Sequence, residues 1–167
     1  MALSTRDHMA DVNQPKQLRS QETVQRILIA CCECVATLGY NQACTIKIAK
    51  QAGVSQGGLF KHFPTKISLM ATMVSYVEAQ ARAESLENIP QDLAQQSIEK
   101  RVRYFIDRNW AFCQSSGFKA LEEVLSQIHF NSELKHALGP AMRKDLQAGD
   151  LATLIPELPN DPSIQFL

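Results

Sequence analysis

Val24, Ile27, Leu28, Cys31, Val35 and Leu38 recur at steps of three and four residues, the spacing of one apolar face on an α-helix. With Ser20 as N-cap and Gly39 as the residue just past the end, they predict a first helix over about 20–38. A short helix over about 45–51 turns Ile48, Ala49 and Ala52 inward before Gly53 stops it, and Ser55 caps a third that ends at Pro64. Ile67, Met70, Met73, Val74, Val77 and Ala81 then predict a long fourth helix to about residue 86. Beyond Pro90, Ile98, Val102, Phe105, Ile106 and Trp110 mark an amphipathic helix from about Leu93 to near Gly117. Leu121, Val124, Leu125 and Ile128 mark another over about 118–130, and Asn131-Ser132-Glu133 opens one expected to be interrupted or kinked at Gly139-Pro140. No long stretch alternates with period two, so the expected fold is all-α.

The tail departs from this rhythm. Leu151–Leu158 is apolar, Pro156, Pro159 and Pro162 punctuate it, and Asp161-Pro162 reads as a helix start with only five residues after it. Either the chain is truncated here or the tail packs irregularly, and the helical body is expected to be short at its C-terminus. The division expected is a disordered arm over 1–15, a DNA-binding unit over 16–66 and a helical ligand-binding and dimerisation unit over 67–167.

Composition adds little until charge is placed along the chain. The 17 Lys+Arg balance 17 Asp+Glu, yet residues 1–66 carry eight basic and four acidic residues, and residues 67–167 nine and thirteen. A basic front on an acidic body is the electrostatic pattern of a protein that approaches a polyanion with one end. Five cysteines without a CxxC pair predict reduced thiols, with Cys31, Cys32 and Cys34 as small core residues. Residues 1–13 are polar with mixed charge, unlike a signal peptide, and the longest apolar run, Ile27–Cys32, falls far below the roughly 20 residues of a membrane span. A cytoplasmic protein without membrane contact is expected.

The informative stretch is Cys44–Phe63: a helix, a short turn holding Gly53, and a second helix, the spacing of a helix-turn-helix. Ala49 and Ala52 are small where the helices meet, and Val54 fills the angle between them. Thr45, Lys47, Lys50, Ser55, Gln56, Lys61, His62 and Lys66 are donors around the second helix, and no acid lies between Glu33 and Glu78. Such donors position a protein on phosphates, and a Gln or Lys near a helix N-terminus reaches base edges in the major groove.

Here the sequence resembles the TetR/AcrR family of bacterial regulators. The resemblance rests on Ile48-Ala49, Ala52-Gly53-Val54-Ser55, and then Gly57, Leu59, Phe60, His62, Phe63 and Lys66, and it covers about residues 20–77. It implies a homodimer whose recognition helices, here about 56–63, enter successive major grooves about 34–36 Å apart on a palindromic operator. Carried over by position, Gln56 meets bases, Thr45, Phe60, His62 and Lys66 face phosphates, and Lys61 faces either; Lys47, Ser55, Gly57 and Gly58 complete the DNA-binding set. Gly58 stands where the family often reads a base, Phe60 where it has Tyr, and Cys44 where it commonly has Thr.

For the acidic half, the family implies a pocket for a small-molecule inducer. Asn109, Trp110 and His129 are the expected ligand contacts among an aromatic-rich set. His129, Glu133 and His136 have helical spacing but lack converging ligands, so no metal and no cofactor is expected. Phosphate-loop, dinucleotide, metalloprotease and nucleophile-elbow signatures are missing from the sequence, and nothing in it points to an enzyme. The expected function is a ligand-released repressor; the alternative is a helical ligand- or protein-binding module of the same fold without productive DNA binding.

Overall fold

The computed structural model describes residues 14–87 and 89–144, all of it helical or connecting, with no strand among the described residues. The expectations for the 1–13 arm and for the segment after Lys144 lie outside these residues.

Helix α1 spans Gln14–Gln42, six residues earlier than the pattern suggests, so Ser20 lies inside it and is not its N-cap. Pro15 falls in the first turn, where a missing N–H costs nothing and a fixed φ favours the start. Gly39 does break the helix, with φ 79° and ψ 161°, before a last turn in which the Ala43 N–H donates to the Gly39 carbonyl at 3.1 Å. Helix α2 (Thr45–Gln51) and helix α3 (Gln56–His62) follow, and α4 runs over Lys66–Glu87. A reciprocal cap starts α4: the Ser68 N–H donates to Thr65 Oγ1 at 3.0 Å and the Thr65 N–H to Ser68 Oγ at 3.2 Å.

The second half differs from expectation at three places. Leu93–Gln95 forms a separate 3₁₀ turn, and α5 occupies Ile98–Cys113. Helix α6 begins at Ser116 (Ser116–Ser126), because Ser115 caps it by accepting from the Phe118 N–H at 3.1 Å. Gly117 therefore lies in a first turn, not at a helix end, and a Cβ there would sit 3.3 Å from Val77 Cγ1. The glycine serves a close approach of α6 to α4. After a 3₁₀ turn over Gln127–His129, α7 runs from Ser132 to Lys144 across Gly139-Pro140 without interruption. Asn131 Oδ1 caps it at the Leu134 N–H, and fully buried Leu134 and Leu138 anchor it up to the proline.

Among the described residues, all the buried ones except Leu93 and Arg101 form one cluster, which includes Ile27, Ile48, Leu59, Met70, Val124 and Leu138. Each such aliphatic side chain contributes about 1.5–3 kcal/mol when withdrawn from water. Helix α1 packs along α6, and α4 packs on α7, so the helix-turn-helix is continuous with the body. The side of α5 turned to that body carries Arg101, Tyr104, Arg108 and Phe112, all buried or half-buried. Of the apolar positions Ile98, Val102, Phe105, Ile106 and Trp110 expected to be buried, Phe105 is half-buried and the other four are solvent-exposed, Trp110 by 67%.

Cys31, Cys32 and Cys34 lie in the core, while Cys113 is exposed and Cys44 is partly so. Burial pushes the Cys31 and Cys34 thiols up and that of Cys32 to about 11, so these three hold little thiolate at neutral pH. Titration of the native protein with a thiol reagent is expected to modify Cys44 and Cys113 rapidly and the remaining three only on unfolding.

Candidate functional site

Two short helices and the turn between them build the site. The Val54 N–H donates to the Ala49 carbonyl at 3.0 Å and the Gly53 N–H to Lys50 at 3.2 Å, which closes α2 and redirects the chain. Gly53 takes φ +66°, and a Cβ there would meet only Arg26 Nη1 at 3.9 Å. Backbone conformation, not crowding, demands glycine at this turn. Ser55 Oγ then accepts from the Gly58 N–H at 3.0 Å and starts α3. Leu59 is the one buried residue in α3, and it fastens this two-turn helix to the core cluster.

With Leu59 inward, the opposite face of α3 is presented to solvent. Gln56, Gly57, Phe60 and Lys61 are exposed, with Lys47, Lys50 and Ser55 exposed beside them on α2 and the turn. Thr45, Gly58 and His62 are half-buried at the margins. Nine of the ten residues expected at DNA are thus exposed or half-buried along α2, the turn and α3. Cys44 precedes α2 without a side-chain cap bond, although the nearby Lys47 backbone N–H draws its thiol below the ordinary pKa.

Lys66 is engaged elsewhere. Its Nζ donates to the Tyr40 carbonyl at 2.5 Å and lies 4.3 Å from the centroid of the Tyr40 ring, and burial lowers its pKa. This amine ties the start of α4 to the end of α1. Lys66→Ala is expected to cost about 1 kcal/mol of stability and to leave the salt dependence of DNA binding unchanged; thermal melts and salt titrations check the two halves of this.

Gly57 has nothing within 4 Å of a Cβ position, whereas at Gly58 Ser55 Oγ lies 3.2 Å away. Gly57→Ala is therefore expected to stabilise the free protein by about 0.5–1 kcal/mol, measured by denaturant unfolding.

The expected ligand contacts do not converge. Asn109 Nδ2 donates to the Phe105 carbonyl of its own helix, and Trp110 and His129 are exposed. A cavity of about 560 Å³ lies instead between α1, α4, α5 and the start of α6, with Ile29, Tyr76, Val77, Arg108, Phe112 and Gly117 among its lining residues. The helical periodicity of the sequence does not single out these residues as a cavity wall. The Ser115-Ser116-Gly117 run was a usable signal, since it caps and begins a helix on the cavity wall. From this helix, Glu123 Oε1 accepts the Tyr40 backbone N–H at 2.9 Å, so α6 touches both the cavity and the end of α1.

Comparison with known proteins gives the fold and the interface a common context. Residues 27–73 match the family model described as bacterial regulatory proteins, tetR family. Over 56 residues, 34% of this chain, the sequence is 45% identical to an uncharacterized HTH-type transcriptional regulator of Mycobacterium tuberculosis, of which the match spans only 29%. A longer match of 119 residues, 71% of this chain, is 23% identical to the fatty acid metabolism regulator protein of Bacillus subtilis and covers 59% of it. The fold is similar to that of a Rhodococcus sp. protein assigned to the TetR family, with a TM-score of 0.65 and 22% identity, over 86% of this chain and 79% of that one.

Proposed function

We propose, on the premise that this chain belongs through its helix-turn-helix to the tetR family of bacterial regulatory proteins, that it is a cytoplasmic repressor released from DNA by a small molecule. Residues 16–66 serve as the DNA-binding unit and the residues from 67 onward as the ligand-responsive and dimerising unit. One observation carries the DNA-binding part. A stretch free of acidic residues from Cys34 to Val77 folds so that Leu59 is buried and Gln56, Lys61 and Lys47 are exposed around one short helix. On that face Lys47, Lys61, Thr45 and His62 contact phosphates, while Gln56 meets a base edge; the backbone of Gly57 and Gly58 lets α3 approach the groove closely.

Release follows from the path of α6. A ligand that shifts the first turn of this helix at Ser116 and Gly117 also shifts Glu123, whose bond to the Tyr40 N–H holds the end of α1 just before α2. Two α3 helices of a homodimer placed on successive major grooves would be respaced by that movement.

Selection of binding sites from a random duplex pool tests this reading. The expected product is an inverted repeat with half-sites about one helical turn apart. Recovery of no shared sequence contradicts it and favours a helical binding module without DNA readout.

A further inference from the structure

We infer that the cavity between α1, α4, α5 and α6 is a binding site for a small amphipathic carboxylate, with Arg108 holding the head group. Its volume of about 560 Å³ falls within the range of small-molecule sites. Ile29, Val77 and Phe112 supply apolar wall for a tail, and the edge-on contact of Phe112 with Phe118, ring centroids 5.4 Å apart, fixes part of that wall.

The head-group assignment comes from Arg108, which lines the same cavity and is half-buried. Its Nη1 donates to Tyr104 Oη at 2.6 Å, and its guanidinium carbon lies 5.6 Å from the centroid of that ring. The Tyr104 contact orients the guanidinium plane. Arg108 is the one cation among the residues that line the cavity, and a planar guanidinium held at an otherwise largely apolar wall matches a carboxylate better than any neutral group. The start of α6 at Ser116 and Gly117 adds the positive end of a helix to the same wall. Glu84 also lines the cavity but is solvent-exposed, so hydration screens its charge there.

The inference deepens the ligand-release reading and rests on it only for the regulatory consequence, because binding can be measured without DNA. Calorimetric titration of the full chain with octanoate, octanol and octylamine is the test. Octanoate is expected to bind at least tenfold more tightly than either of the others, as a charge-assisted bond implies. Arg108→Gln is expected to remove that preference and Arg108→Lys to restore part of it, with circular dichroism melts showing that each variant folds. Ile106→Ser, on the exposed stripe, is expected to leave octanoate binding unchanged, which separates the cavity from adsorption on that surface. Equal affinity for the three probes, no binding in the millimolar range, or loss of binding with Ile106→Ser but not Arg108→Gln overturns the assignment. Octanoate binding that fails to release DNA leaves the site standing and overturns the ligand-release reading.

Discussion

Replacing Lys47 and Lys61 together by alanine is expected to weaken binding to every duplex and to flatten the dependence of log K on log salt by about two per protomer. Both side chains are exposed on or beside α3, and among the described residues neither has a partner comparable to the carbonyl that holds Lys66. Each neutralised phosphate releases counterions, so its removal shows in the salt slope whatever the base sequence. Gln56→Ala is expected to do the reverse. It leaves the slope in place and lowers discrimination between preferred and altered sites by about 1–3 kcal/mol. Salt titrations of the double variant and of Gln56→Ala, on one preferred and one scrambled duplex, separate the two roles; equal loss of preference from both shows the assignments to be wrong.

The second large effect is on stability. Leu59 is fully buried and is the residue that anchors α3. A helix of seven residues has no independent stability, so its position depends on that anchor. Leu59→Ala is expected to cost about 2–5 kcal/mol, the loss of transferred surface plus the cavity left in the core. Because the buried residues of the helix-turn-helix and the body form one cluster, denaturant unfolding of this variant is expected to remain a single transition at lower midpoint. DNA affinity should fall by more than the stability loss accounts for if α3 detaches locally. A change below about 1 kcal/mol contradicts the anchoring role.

The helix-turn-helix was legible in the sequence because its signals are local. The bounds of α2, the Ser55 cap and the positive φ at Gly53 each follow from residues within one or two turns of the feature they determine. The body was less legible for the opposite reason. A stripe at Ile98, Val102, Ile106 and Trp110 reveals a helix but not which side faces its neighbours, and here Arg101, Tyr104 and Phe112 face them. Gly117 looked like a helix end because glycine commonly ends helices, whereas its role is steric and involves Val77 forty residues away. Lys66 read as a phosphate contact for want of any sign that Tyr40 would present a carbonyl to it. Arg108 was invisible as a candidate, since its cavity is assembled from four helices.

The most direct test of the central claim is fluorescence anisotropy with duplex from the DNA flanking this protein's own gene, set against a scrambled duplex at low and near-physiological salt. Tight binding to the flanking duplex that survives the higher salt is expected, with weak, salt-sensitive binding to the scrambled one. Weak binding to both that vanishes as salt is raised would contradict sequence-specific regulation and leave only a basic face without readout.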